Sequence, residues 1–321
     1  MDKLSTDALN QSLDLVVLLI SYLLVECAMR KTTLTAIVCL SSLALGLSGF
    51  AGEQIDESRT VLADSFVTIV NTRGELTIVG TNDNEVSIEG DLDDLADKLI
   101  FEVDENRVLI EVKLPKYNIS WGDGSDLQIR IPRNSRLSVT AVSADIDVSQ
   151  VEGGVRIKSV SGELHLKGSR ERSFLSAVSG DISVEDTTGL LKVNTVSGDI
   201  EIDNHTGSID LESVSGEIDA EIDATNSIQA GSISGEITID AKLEDGAYVE
   251  MKSVSGSLRL DLKGNQDLNV EMEVNASGDI DNRLSDAEAS KKHGRKRLSF
   301  TIGSGSSDVT MRAVSGDLRI E

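Results

Sequence analysis

An acidic residue closes a Val-Ser-Gly-acid motif that recurs along the chain, at Glu163, Asp181, Asp199, Glu217 and Glu236 and again at Asp279 and Asp317. Asp145 closes a degenerate first copy, and Ser257 interrupts the series. Stacked one repeat above the next, such carboxylates lie about 5 Å apart and repel by ~0.8 kcal/mol per pair in bulk water. Two chemistries relieve that repulsion. A hard divalent cation, calcium above all, takes several carboxylate oxygens. Alternatively, each carboxylate caps its own turn by accepting backbone N–H groups. Capping is the preferred reading, because the sequence has no Gly-Gly-x-Gly-x-Asp calcium repeat and no EF-hand loop. No cofactor is expected.

The other reactive side chains are weighed in the same way. Ser161, Ser179, Ser197, Ser215 and Ser234 recur with the motif, whereas a catalytic serine is unique, so no catalytic residue is assigned. His165, His205 and His293 fall in different phases of the repeat, form no ligand column and are read as surface residues. Lys291, Lys292, Arg295, Lys296 and Arg297 make a basic island that suits an anionic lipopolysaccharide or the acidic face of a second copy. A solvated loop is the plainer alternative. Tyr117 and Trp121 offer either a sugar-stacking surface or packing over an edge.

The elements that must carry these residues follow from spacing. The motif glycines are Gly162, Gly180, Gly198, Gly216, Gly235, Gly256, Gly278 and Gly316, with a spacing of 18 residues early in the series and 38 between the last two. The wide final step predicts one lost copy near residue 295. Apolar residues two apart flank each motif, as in Ile182/Val184 and Leu191/Val193, so each pair faces one side of a strand. A glycine every nine residues would cost a helix about 1 kcal/mol each. The expected fold is therefore all-β: a parallel β-solenoid, β-roll-like, with two short strands per ~18-residue coil, since one repeat alone cannot bury its apolar face. About ten coils are expected from Leu137 onward, spanning roughly 48 Å. Residues 136–321 form the repeats, with a basic loop insertion at about 285–297. Residues 52–135 are less regular and read as the N-terminal cap of the same stack, or as a small separate β domain.

Composition narrows the function. A net charge of −25 repels phosphates and argues against nucleic acid as a partner. Met29-Arg30-Lys31, an apolar run and Gly49-Phe50-Ala51 resemble a secretory signal over residues 29–51, cleaved after Ala51. Residues 1–28 then read as an extension from a misassigned start, and a membrane hairpin or signal anchor is the rival. Cys27 and Cys39 both lie before residue 52, so the mature chain is expected to hold no disulfide and no membrane span.

The Ser-Gly-Asp/Glu-Ile/Leu motifs, the lead-in Leu127–Pro132 and a worn copy at Gly74 resemble a bacterial domain-of-unknown-function family described as adhesins with a β-strand repeat. The resemblance covers about residues 60–321. It implies a non-catalytic cell-envelope protein, periplasmic or secreted, with a binding or scaffold surface. Its partner would be an envelope glycan, lipopolysaccharide or another protein. A polysaccharide-active β-helix enzyme and an envelope-stress sensing partner are the alternatives.

Overall fold

The computed structural model describes residues 53–115, 124–264 and 267–321. The expected signal segment and N-terminal extension lie outside these residues, as do both cysteines, Tyr117 and Trp121. The described residues are all-β, and no helix among them is long and apolar enough to cross a membrane.

The repeat spacing becomes strand pairing. Ile182 pairs with Ile200 and Ile200 with Ile218, each in a parallel ladder offset by one repeat. On the other side of the motif Leu191 pairs with Ile209, and Ile209 with Ile228. Both ladders turn these aliphatic columns inward, where the residues named are at most 1% exposed. Intervening side chains face out, as a period of two requires. The motif serines form a third, narrow ladder at the corner, from Ser143 through Ser161 and Ser179 to Ser197.

Glycine is dictated at that corner by two effects at once. Gly198 has φ +147°, and a Cβ placed on it would sit 2.2 Å from the carbonyl oxygen of Gly180 one repeat below. No side chain fits between rungs that close.

The opposite corner departs from the expectation of two short strands per repeat. Val155–Lys158 and Leu164–Lys167 are short, but Ile200–Ser215, Ile218–Ser234 and Ile237–Ser255 are each one strand running through the bend. Cross-rung bonding survives there: the Thr206 N–H donates to Thr187 O at 3.0 Å while the chain turns at Gly207, φ +126°. The interior is not wholly aliphatic either. Thr195, Ser213, Ser232 and Ser253 pair in succession, and all are buried.

The ends of the stack are out of chain order. Phe66–Thr81 lies between Arg107–Lys113 and Ser125–Pro132 on one side and Arg136–Ser149 on the other, parallel to all three. At the far end, Ser307–Ser315 lies between Ile237–Ser255 and Leu268–Ser277. Eleven parallel rungs result among the described residues. Two are contributed by the less regular N-terminal segment, which leaves nine rather than ten from Leu137 onward.

Antiparallel strands close each end. Lys98–Asp104 flanks Arg107–Lys113, Glu85–Asp91 flanks Ser125–Pro132, and Arg295–Ile302 flanks Leu268–Ser277. The wide step before Gly316 is thus no lost copy. It holds this capping strand, and the basic stretch expected as a loop is a β-hairpin of Ser290–Lys292 with Arg295–Ile302. His293 and Gly294, at φ 52° and 82°, make its two-residue turn, the conformation that matches strand twist.

Candidate functional site

The acid column is built for capping, but across rungs. Asp145 Oδ1 accepts the Glu163 N–H at 2.9 Å, Asp181 Oδ1 the Asp199 N–H at 2.9 Å, and Asp199 Oδ1 the Glu217 N–H at 2.8 Å. Asp317 Oδ1 accepts the Asp279 N–H at 2.8 Å. Each of these aspartates thus caps the corresponding residue of the neighbouring rung, not its own turn as expected. The corner amide points along the stack, and Asp is short enough to meet it. No cluster of three metal-ligating side chains occurs among the described residues.

The basic island is largely used up within the fold. Arg295 and Arg297 each lie 3.0 Å from the buried carboxylate of Glu273, and Lys296 pairs with Asp279. That ammonium holds the Asp279 carboxyl below the usual carboxylate range. Lys291 and Lys292 remain exposed on the short outer strand, where lysine discourages further strand pairing.

The histidines separate. His165 is on the surface, 3.1 Å from Asp147 Oδ2. His293 is in the hairpin turn. His205, expected on the surface, is fully buried, and its Nδ1 shares a 3.0 Å hydrogen bond with Thr187 Oγ1. It occupies the inner corner position that Thr187 fills one repeat earlier.

A groove that the repeat motif does not announce gathers different chemistry on the outward face of the first ladder. Four successive rungs supply it: Phe66–Thr81, Arg136–Ser149, Val155–Lys158 and Ser173–Ser176. Val67, Leu137 and Val155 point inward, which turns Phe66, Arg136, Arg156 and Phe174 outward. Register places Arg136 beside Phe66 and Arg156 beside Phe174. Each guanidinium stacks over the neighbouring ring, 4.9 Å and 4.6 Å from its centroid. Arg172 joins them two rungs from Arg136; Gly154 lies between the two, with the Glu171 carboxylate 3.7 Å from where a Cβ on it would stand. The hollow measures about 710 Å³, with Thr68, Ser138 and Glu171 among the residues that line it.

The arginines here are uncommitted. Neighbouring Arg133 and Arg170 pair with Glu152, whereas Arg136, Arg156 and Arg172 form no ion pair among the described residues. A guanidinium held over a ring and not engaged in an ion pair offers its N–H fork to a bidentate acceptor and loses little freedom on binding. The arrangement can therefore grip an anion that also carries an apolar surface.

With this geometry in view, the comparisons define the class of protein. The family model described as Toastrack DUF4097 matches residues 64–321, and the chain belongs to that family. No curated protein matches it. Among solved structures it is similar to a "putative adhesin" from Bacteroides fragilis at 11% identity, covering 84% of this chain and 97% of that one with TM-score 0.40. It is also similar to a "putative adhesin" from Parabacteroides distasonis at 12% identity, 84% and 98% coverage and TM-score 0.37. A "putative cell adhesion protein" from Clostridium sporogenes shows 11% identity, 84% and 99% coverage and TM-score 0.20.

Proposed function

We propose that the protein is an exported, non-catalytic, adhesin-like binding protein. In this reading its repeats form a β-solenoid rod and its recognition surface is the groove of Phe66, Arg136, Arg156, Arg172 and Phe174. One observation carries the reading: on a chain of net charge −25, three arginines share a hollow and form no ion pair among the described residues, although Glu171 also lines it. A structural arginine on so acidic a chain would be expected to take an ion pair, as Arg133 and Arg170 do.

The absence of catalysis is supported by the use of the repeated groups. The aspartates accept backbone N–H bonds, and the serines are ladder positions repeated from rung to rung. Export rests on the signal-like segment ending at Ala51, and N-terminal sequencing of the mature protein should begin at Gly52.

The deciding experiment compares binding of the purified protein and its Arg136→Gln/Arg156→Gln variant to intact bacterial cells and to isolated envelope glycans. Binding by the parent and its loss in the variant is the expected result. Equal binding by both would remove the groove from the function. Release of new reducing ends from any glycan would overturn the non-catalytic reading.

A further inference from the structure

We propose that the groove takes an acidic oligosaccharide whose charge is carried by carboxylates, a uronic-acid type of glycan; this rests on the binding reading above and specifies its ligand. Four features of the hollow combine in this assignment. Its cations are all arginines, with no lysine on its wall. The planar fork of arginine matches the two oxygens of a carboxylate.

Two of the cations are paired with phenyl rings. Phe66 leaves 41% of its surface open despite the Arg136 stack. A pyranose has an apolar C–H face that lies on such a ring, and a uronic acid carries its carboxylate at the edge of that face. The guanidinium over each phenyl lies 4.9 Å or 4.6 Å from the ring centroid, within reach of a carboxylate on a sugar laid against the ring's open side.

Between the cations the wall carries hydroxyls and a carboxylate among the aliphatic residues Val67, Leu137, Val155 and Leu190. Thr68 and Ser138 occupy adjacent positions in the outward column that continues to Arg156 and Phe174. Glu171 lines the hollow beside Gly154. These groups can accept and donate hydrogen bonds to sugar hydroxyls, and the Glu171 carboxylate opposes a densely charged phosphate more than a singly charged carboxylate.

The cations are also spread out. Arg136 and Arg172 share a column two rungs apart, a separation of roughly 10 Å at strand spacing. A single small anion cannot touch both, whereas an extended glycan presents successive carboxylates along its length.

The test is calorimetric titration of the protein with three probes: oligogalacturonate, oligomannuronate and hyaluronan oligosaccharides. Each is run beside its methyl-esterified form, and inorganic phosphate is titrated separately. We expect saturable, salt-sensitive binding of at least one acidic probe. The esterified form should bind about tenfold or more weakly, as should the Arg136→Gln/Arg156→Gln variant. Arg156→Lys keeps the charge but loses the planar fork and should weaken binding several-fold, while Phe174→Leu removes the stack and should do likewise. These side chains face solvent, so an unchanged thermal midpoint verifies each variant's fold.

The proposal is overturned if none of the acidic probes binds, if esterification leaves affinity unchanged, or if phosphate competes as well as the oligosaccharides. Groove-dependent binding to cells without uronate binding would sink the ligand assignment alone. Cell binding that survives loss of the arginines would sink the reading on which it rests.

Discussion

Replacing Gly198 with alanine tests the reasoning about the corner, because Gly231 in the same ladders supplies an internal control. Gly198 has φ +147°, and its added Cβ would stand 2.2 Å from the Gly180 carbonyl oxygen and 2.7 Å from its carbon. Those atoms are backbone and belong to the next rung, so relief requires the rungs to part. The positive φ costs about 1–2 kcal/mol for a residue with a Cβ. Parting the rungs also weakens the 3.1 Å bond from the Gly180 N–H to Ser197 O, worth about 1 kcal/mol more. A total of about 2–3 kcal/mol lowers the melting temperature by roughly 4–12 °C for a domain of this size. Gly231 has no positive φ, and nothing lies within 4 Å of its added Cβ. Gly231→Ala should be neutral or stabilise by ~0.5 kcal/mol through the unfolded chain. Thermal denaturation followed by circular dichroism compares the two. Equal melting temperatures would refute the claim that close approach of successive rungs selects glycine at the motif.

Burial pushes the His205 pKa below its ordinary 6.5, against smaller opposing effects of hydrogen bonds with Ser208 and Thr187. The unfolded chain therefore takes up this proton first, and stability falls as pH drops below about 6.5 until the folded pKa is reached. His205→Thr should flatten the melting profile between pH 7 and 5 relative to the parent, and parallel profiles would contradict this. Asp199→Ala loses the acceptor of the Glu217 N–H and should cost about 1 kcal/mol, whereas Asp199→Asn keeps an oxygen there and should cost less. The same denaturation curves, run with calcium and with chelator, should superimpose, and a calcium-dependent rise would restore a cation to the acid column.

Much of the stack was legible because strand pairing turns sequence spacing directly into contact. Ile182, Ile200 and Ile218 are one repeat apart in the chain and adjacent in the ladder. The ends were illegible for a related reason. Nearly identical rungs do not encode which neighbour each one meets, so the placement of Ser307–Ser315 beside Ile237–Ser255 leaves no trace in its own motif. His205 was misread because a polar residue at a bend suggests solvent, whereas here the bend turns its side chain inward beside Thr187. The groove had a partial signal. Arg156 and Phe174 lie one repeat apart at an outward position, and Gly153-Gly154 doubles the expected glycine. The contact of Arg136 with Phe66, by contrast, depends on the reordered N-terminal rungs.

The interposed rung near the C-terminal end also bears on how the molecule is made. A ribosome releases Leu268–Asn282 before Ser307–Ile320, yet the later segment lies deeper in the pile. Accretion at a growing tip cannot produce that order, so Val249 and Val270 must wait, or separate, until the late segment slides between them. The seam is lined by Met251, Met311 and Met272, which follow one another across it and are fully buried. These are all the methionines after Met29. Unbranched thioethers conform to an irregular, closing gap better than Ile or Val, which gives the assembly a pliant joint at the one place where it has to be entered last.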